Sequence, residues 1–321
     1  MIRFLKHTII DKIRWDDCIN RALNGNLYAS SWYLDIVSPG WCALVEDDYK
    51  SVFPLTVSSK AGFNYIMQPY FTQQLGLFSQ YILTGEKLVE FLQSIPAGYR
   101  YIDINLNSSN KAPESDAVFD FINIELDLSL DYETLVRSYQ SNQQRNLKKA
   151  DRNTLTIVNQ VKPEEIISLF RANRGQDIHH LKDDQYALIH RIATESIHRG
   201  IGELWGVNDD KNNLVASALW VFSHGKAIFL FSALSEEGKK LNAMPWLIDS
   251  FIRANAGKPL ILDFEGSNNE GLARFYSSFG SKKVTYQRFT RNSLPQPLSV
   301  VLKIWRKGRA YLNKYPRMLK Q

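Results

Sequence analysis

The sequence of 321 residues contains few of the side chains that bind structural metals. Its two cysteines, Cys18 and Cys42, form no C-x-x-C motif, and they share no zinc-type spacing with the six histidines. A structural metal site is therefore not expected. So few cysteines also fit a protein of a reducing compartment.

Long apolar runs are missing as well. The longest strongly apolar run, residues 227–234, is much shorter than the about 18 residues that a membrane-spanning helix requires. Charged side chains and a histidine interrupt residues 1–15, which therefore lack the apolar core of a secretory signal. We expect a soluble, cytoplasmic protein.

The composition is that of an ordinary globular protein, with 44% hydrophobic and 22% charged residues. The chain is longer than one hydrophobic core usually supports, which predicts two domains. A net charge of +6 favours anionic partners, such as a phosphate-bearing cofactor, RNA or an acidic membrane surface. Charge alone does not choose among these partners.

Apolar periodicity predicts the same order of elements in both halves, with antiparallel strands first and alternating helices and strands last. In the first half we predict helices at residues 15–23, 31–37 and 85–94, and strands at 41–46, 51–58, 63–68, 99–105 and 119–128. Pro54 indicates an edge or a bulge position in its strand. Residues 131–151 are predicted to form one bridging helix.

In the second half, proline at position 163 predicts the start of a helix. Further helices are predicted at residues 183–198, 243–256 and 269–279, and strands at 155–161, 202–208, 214–222, 226–234, 260–264 and 282–290. Turn sequences at 208–210 and 223–225 predict two antiparallel hairpins.

These elements predict an N-terminal domain of residues 1–130, a basic bridging helix at 131–152, a C-terminal domain at 153–292 and a basic helical tail at 293–321. The tail contains seven lysines and arginines with aromatic residues between them and no acidic residue after position 298. Bridge and tail could contact tRNA phosphates, and the tail could lie on an anionic membrane as a peripheral contact. The alternative is a solvated helix that packs by its aromatic face.

Residues 260–280, LILDFEGSNNEGLARFYSSFG, are the most informative stretch. Gly266 allows a sharp turn after the predicted strand. Ser267, Asn268 or Asn269 can cap the helix that follows. Ligands of open α/β sheets bind beyond the carboxyl ends of strands. We therefore expect a ligand site where this strand ends.

Asn269, Leu272, Tyr276 and Gly280 follow one another at spacings of 3, 4 and 4 residues, which places them on one helix stripe. The pattern N-x-x-(A/L)-x-x-x-Y-x-x-x-G before a strand resembles the last helix of the GNAT acyltransferase superfamily. The wider string D-F-E-G-S with R-F-Y-x-S-F-G is similar to the branch related to the FemABX peptidyltransferases. The bridge string S-N-Q-Q-R-N-L-K-K-A resembles the entry to the second domain of FemABX-like enzymes.

The resemblance implies an α/β (α+β) fold of two tandem GNAT-like domains, with mixed central sheets flanked by helices. It implies an N-acyltransferase, with the chemistry in the second domain and no covalent enzyme intermediate. The donor is expected to be an acyl-CoA or an aminoacyl-tRNA. The acceptor is expected to be an amine of a small molecule, a sugar or a cell-envelope precursor. A catalytically inactive scaffold and an RNA-binding protein remain alternatives.

The resemblance assigns Tyr276 as the donor that protonates the leaving thiolate. The alternative is a core tyrosine whose hydroxyl is hydrogen-bonded. Asp263 and Glu265 are separated by one residue and are expected on the same sheet face, where either could be the base. Both could instead bind backbone groups or an arginine.

The segment matched to the GNAT pyrophosphate loop is SEEGKKLNA, residues 235–243. It follows a strand and opens a helix, whose N-terminal N–H groups could receive phosphates. It departs from the GNAT pattern, since two glutamates repel phosphate and a lysine replaces a small residue, so an aminoacyl-tRNA donor stays open. The cofactor residues that we predict here and at the last helix are Gly238, Lys239, Lys240, Asn242, Ala243 and Asn269.

Residues 173–182, NRGQDIHHLK, link two predicted helices in the region that covers the acceptor site in GNAT domains. Gln176, Asp177, His179 and His180 could hold the acceptor. The paired histidines also suggest a metal, but no third ligand has a useful spacing. The alternative is a solvated loop.

Overall fold

The computed structural model of the protein describes residues 1–60, 62–178, 181–266 and 269–295. The chain divides into two compact units. The first comprises Met1–Phe121 together with the chain from Thr285 onward, and the second comprises Ile122–Val284. The predicted bridge falls within the second unit in this division, and the domain boundaries given above stay a prediction.

Strands and short helices alternate in the first unit. In chain order they are β1 (Ile2–Leu5), α1 (Lys12–Arg21), α2 (Ser31–Val37), β2 (Cys42–Glu46), β3 (Ser51–Leu55), β4 (Val57–Lys60), β5 (Phe63–Met67), β6 (Phe78–Ser79), α3 (Gly85–Gln93), β7 (Tyr99–Asn105) and the first residues of β8 (Val118–Asp127). Two of the three helices α1–α3 begin at a side chain that accepts a backbone N–H. Asp11 caps α1 and Thr84 caps α3 in this way.

The elements of the second unit follow the predicted order, except that the bridge forms two helices and a short helix, Glu236–Lys240, is added. After β8 they are α4 (Tyr132–Arg137), α5 (Ser141–Ala150), β9 (Thr156–Val158), α6 (Pro163–Ala172), α7 (Asp183–His198), β10 (Gly202–Asn208), β11 (Leu214–Ser223), β12 (Lys226–Leu234), α8 (Glu236–Lys240), α9 (Ala243–Asn255), β13 (Ile261–Asp263), α10 (Glu270–Ser277) and β14 (Lys282–Asn292). Residues from Thr285 onward return to the first unit.

Two groups of strands build the first unit. Strands β1, β2, β3 and β6 pair in that order, all antiparallel. In the second group β5 and β7 are parallel, β4 pairs with β5, and the end of β14 pairs with β7. Pro54 pairs with Ala43 on β2, whereas β6 reaches only Ser51 and Val52. The predicted edge position of Pro54 is therefore confirmed.

The second unit contains a mixed sheet in the order β8, β13, β12, β11, β10, β9. Its β12 and β13 run parallel, and the other neighbours are antiparallel. The two predicted hairpins, β10–β11 and β11–β12, are confirmed. The core of this unit includes Trp220, whose ring stacks on Phe251 of α9 at 4.3 Å between centroids and an interplanar angle of 1°.

The bridge is not the single helix that we predicted. Asp131 caps α4 through Thr134 N–H at 2.8 Å, and the helix ends at Arg137. Tyr139 then turns into the core, where its hydroxyl donates to Asp249 at 2.9 Å, and α5 begins two residues later. The burial of this ring breaks the helix, and a periodic pattern does not reveal such a tertiary contact.

Candidate active site

Strands β12 and β13 are parallel neighbours that diverge in the sheet of the second unit. Their register runs from Lys226–Ile261 to Ile228–Asp263, after which β13 ends and β12 continues to Leu234. Within the described ranges no strand pairs with this edge of β12 beyond the divergence. Because alternate residues of a strand direct their N–H and C=O groups to one side, backbone N–H groups of β12 point toward this edge where β13 no longer pairs with it. Such donors can stabilise an oxyanion.

A β-bulge lies just beyond the divergence. Trp220 of β11 pairs with Phe229, whereas the preceding Leu219 pairs with Phe231, so Leu230 is the extra residue on β12. A bulge bends the strand and redirects its backbone groups, and bulges are frequent beside functional sites. The backbone of β12 is therefore irregular at the point where it loses its partner.

Tyr276 lies at this divergence. Its ring stacks on Phe264, the residue after β13, at 4.9 Å and 18°, and it meets Phe229 of β12 edge-on at 6.1 Å. The side chain is only 9% exposed, so the ring is largely enclosed at the strand end where we expected a ligand site. In the part of the chain that the structure describes, no residue forms a hydrogen bond with its hydroxyl.

The environment of Tyr276 keeps the phenol protonated. Burial, followed by the negative charge of Glu265, raises the pKa of Tyr276 well above its usual range. The hydroxyl is therefore available as a donor at neutral pH. Full transfer of its proton becomes more difficult as the pKa rises.

Both carboxylate oxygens of Asp263 accept hydrogen bonds from neighbouring residues. Its Oδ1 accepts hydrogen bonds from Asn123 Nδ2 at 3.0 Å and from the Glu265 N–H at 2.9 Å. Its Oδ2 accepts from Lys226 Nζ at 3.1 Å, and Lys226 also donates to Glu125 at 2.6 Å. Burial alone lowers the pKa of Lys226, but the two carboxylates outweigh burial and raise it.

We expected Asp263 and Glu265 on the same sheet face because alternate residues of a strand point to one side. Strand β13 ends at Asp263, so this alternation does not extend to Glu265. Glu265 has φ +55° and Gly266 φ +43°, so the chain turns sharply directly after Phe264. This confirms the turn predicted at Gly266. A Cβ at Gly266 would collide with the backbone of Ile122 and Asn123, which explains why glycine stands there. Glu265 is half-buried on the turn, beside the divergence.

The start of α10 is capped by Asn269. Its Oδ1 accepts from the N–H groups of Gly271 at 3.0 Å and Leu272 at 3.2 Å. Of the three predicted cap residues, Ser267 and Asn268 lie outside the described residues. The side-chain oxygen of Asn269 is occupied by the cap, so a cofactor contact would need its other atoms.

The segment matched to a pyrophosphate loop folds as the short helix α8. Ser235 Oγ accepts from Gly238 N–H at 2.9 Å, and Ser235 O accepts from Lys239 N–H at 3.0 Å. Gly238 packs so closely on Val215 O that a Cβ would not fit. Asn242, with φ +56°, joins this helix to α9. These N–H groups bond inside the chain and do not form an open phosphate cradle.

The two lysines of this segment have carboxylate partners. Lys239 pairs with Glu236, and Lys240 pairs with Glu237 at 2.8 Å. Ala243 is fully buried at the start of α9. The segment therefore offers a phosphate neither uncompensated lysines nor an accessible Ala243 side chain.

The predicted acceptor segment is described only in part. Gln176 is exposed in a short 3-10 turn, Arg174–Asp177, and its Nε2 donates to Ala172 O at 2.9 Å. The side chain of Asp177, together with His179 and His180, lies outside the described residues. The acceptor role of this set stays a prediction.

In the described part of the chain, no three or more His, Cys, Asp or Glu side chains are grouped so that they could hold a metal ion. None of the helices described has both the length and the apolar character required to cross a membrane.

Sequence reasoning missed the ionic cluster of Lys226, Glu125 and Asp263. The sequence signal that could have revealed this cluster is a lysine at the start of an otherwise apolar strand. Its partners are 37 and 101 residues away in the chain, however, and only the sheet order brings them together.

No protein-family model matches the chain, and a search of the curated proteins finds no match. Among solved structures the chain is similar to FemX, with 14% identity, coverage of 92% of this chain and 99% of that one, and a TM-score of 0.63. It is similar to a conserved protein of unknown function from Bacteroides thetaiotaomicron VPI-5482, at 10% identity, 91% and 100% coverage and TM-score 0.54.

A third similar structure is the C-terminal domain of a putative lysylphosphatidylglycerol synthetase from Agrobacterium fabrum, at 11% identity, 91% and 95% coverage and TM-score 0.50. At these identities the similarity concerns the fold alone. The chain has the α/β fold of FemX, with mixed sheets flanked by helices, which confirms the fold class predicted from the sequence.

Proposed function

We propose that this chain, which has the fold of FemX, is an N-acyltransferase that transfers an acyl or aminoacyl group to an amine. The reaction takes place in the second unit, where β12 and β13 diverge. The observation that supports this proposal is the position of Tyr276 between Phe264 and Phe229, beside the unpaired edge of β12. A leaving-group donor and oxyanion donors thus meet at one place.

The proposed reaction is a direct displacement. The amine nitrogen attacks the carbonyl carbon of the donor, a C–N bond forms, and the C–S or C–O bond to the leaving group breaks. Backbone N–H groups of β12 beyond Ile228 stabilise the oxyanion. The hydroxyl of Tyr276 donates a hydrogen bond to the leaving atom, a role that suits a phenol with a raised pKa.

We propose Glu265 as the group that receives the proton of the attacking amine, directly or through water. Asp263 is less suited, because Lys226, Asn123 and a backbone N–H already occupy its oxygens. Glu265 is half-buried, stands on the turn after Phe264, and its charge acts on the phenol of Tyr276.

Of the two donor classes, α8 favours an aminoacyl ester of tRNA over acyl-CoA. The N–H groups of Gly238 and Lys239 bond within the segment, and its lysines are paired with glutamates. A coenzyme A pyrophosphate would have to displace these contacts. Titration calorimetry with acetyl-CoA and free coenzyme A tests this preference, because a saturable heat would overturn it.

The transfer itself is tested with a pool of radiolabelled aminoacyl-tRNAs, and separately with acetyl-CoA, against amino sugars and cell-envelope precursors that carry a free amine. We expect labelled product from the wild type. Tyr276→Phe should lower kcat about 10- to 100-fold, or about 1.4–2.8 kcal/mol, at unchanged donor affinity. Tyr28→Phe, which alters a buried tyrosine of the first unit, is the matched control.

Two results would contradict the proposal. Full turnover in Tyr276→Phe would remove the assigned role of the phenol. Absence of both donor binding and transfer with every donor and amine would favour the alternative of a scaffold that keeps the fold without the reaction.

A further inference from the structure

A second concave site lies on another face of α10. It is a groove of about 650 Å³, within the range of about 300–1,000 Å³ that is typical of small-molecule sites. Glu270, Ala273, Arg274 and Ser277 line it from one stripe of the helix. At 3.6 residues per turn, Tyr276 projects roughly 110° away from this stripe. The groove is therefore separate from the strand divergence.

The groove combines an apolar surface with polar groups. Ile122 of β8 and Ala273 supply the apolar part. Gln140, the residue before α5, supplies an amide, and Ser277 supplies a hydroxyl. A ligand with an apolar body and a polar head would satisfy both parts of the lining.

The charged groups of the groove are mainly cationic. Arg274 and Lys283 line it, and within the ranges that the structure describes neither takes part in an ion pair. Arg274 Nε makes only a long hydrogen bond, of 3.3 Å, to Glu270 O. Lys226 and Lys240 of the same unit, by contrast, each have carboxylate partners. Glu270 is the one acidic residue among the described residues of the lining.

The neighbouring bridge adds more positive charge. Gln140 stands between α4 and α5, whose cations are exposed and have no ion pair among the described residues. These cations are Arg137, Arg145, Lys148 and Lys149. Positive charge gathered around a concave apolar surface raises the local concentration of anions.

We infer that this groove binds a small organic anion. The apolar body lies on Ile122 and Ala273, and a phosphate or carboxylate head is held by Arg274 and Lys283. An arginine can bind such a head through two parallel N–H groups, and a lysine contributes a point charge. The inference concerns a second site and does not depend on the proposed acyl transfer.

The full chain is titrated by calorimetry with phenyl phosphate, which unites an aromatic body with a phosphate. Inorganic phosphate and benzyl alcohol represent the two parts separately. We expect phenyl phosphate to bind saturably and at least 10-fold more tightly than either part. Benzoate in place of phenyl phosphate shows whether the head is preferably a phosphate or a carboxylate, and the tighter probe identifies it.

Variants connect the binding to the groove. The double variant Arg274→Ala/Lys283→Ala should weaken phenyl phosphate at least 10-fold, whereas Lys282→Ala, the same kind of change outside the lining, should leave it unaltered. Ala273→Trp should fill the groove and abolish binding. Circular dichroism and the Tm establish that each variant is folded. Tyr276→Phe should bind as the wild type does, so failure of acyl transfer and failure of this inference are distinguishable.

Three outcomes would overturn the inference. Phenyl phosphate could bind no better than inorganic phosphate, which would indicate non-specific charge. Binding could persist in folded Ala273→Trp, which would place the probe elsewhere. A short RNA duplex could bind with steep salt dependence while phenyl phosphate does not, which would make this face a nucleic-acid surface.

Discussion

Lys226 opens β12 with two carboxylates around its ammonium group, Glu125 at 2.6 Å and Asp263 at 3.1 Å. The side chains are 32%, 15% and 7% exposed, in the order lysine, glutamate, aspartate. Lys226→Met keeps the aliphatic stem and removes the charge. Two largely buried carboxylates then lose their cation, and only Asn123 and a backbone N–H remain on Asp263.

Removal of one partner from a fully buried ion pair costs about 3–5 kcal/mol. Lys226 is about one-third exposed, so water compensates part of the loss. We expect Lys226→Met to lower the free energy of unfolding by about 2–3 kcal/mol. The measurement is urea unfolding followed by circular dichroism. Lys240→Met removes the exposed pair with Glu237 and should cost less than about 0.5 kcal/mol.

The pH dependence has a defined sign. Burial opposes the charge, but the two carboxylates outweigh it and raise the pKa of Lys226 in the folded state above its ordinary value of 10.5. The contribution of the pair is therefore fully present below the unfolded pKa and is lost as the pH rises through the folded pKa. The difference between wild type and Lys226→Met should be constant from about pH 6 to 9 and shrink above about pH 10.5.

The reasoning is refuted if Lys226→Met costs no more than Lys240→Met at neutral pH. A second test uses the double variant Lys226→Met/Glu125→Gln. It removes one of the uncompensated charges and should recover part of the lost stability. If the double variant is less stable by the full sum of both single losses, the two side chains are not coupled.

Three further predictions concern the second unit. Phe251→Ala removes the ring stacked on Trp220 and should cost about 3–5 kcal/mol in urea unfolding, whereas an alanine at the half-exposed Phe119 should cost less than about 1 kcal/mol. Gly266→Ala should cost about 2–4 kcal/mol through collision and backbone strain, against about 1 kcal/mol at Gly257, where φ is also positive but space is open. Burial raises the pKa of Asp249 despite two tyrosine hydroxyls, so its ionisation costs the wild type stability as the pH rises above the unfolded-state pKa of about 3.9; the Asp249→Asn variant should gain stability relative to the wild type over that rise.

Elements with strong local patterns were predictable from the sequence. The bounds of α2, β7, α7, β10 and β12 coincide with those predicted, because periodic apolar residues and turn sequences are local signals. The position of Tyr276 at a strand end follows from the same logic. Helix α8 was not predicted, since it depends on the Ser235 cap and on the fit of Gly238 against Val215.

The electrostatics of the candidate site could not be predicted. We expected Asp263 and Glu265 to be equivalent as bases. The sheet order brings Lys226 and Asn123 next to Asp263. Strand pairing over more than a hundred residues decides which side chains surround Asp263, and a single sequence does not contain that pairing.

The return of β14 to the first unit has a consequence for synthesis on the ribosome. Strand β7 pairs with β14, and Asn105 faces Arg288 in that register. Synthesis proceeds at about 5–20 residues per second, so one edge of β7 stays without its β14 partner for roughly 10–40 s. The contiguous chain of the second unit can fold in that interval. Nascent chains stalled before β14 should therefore be the ones that chaperones retain.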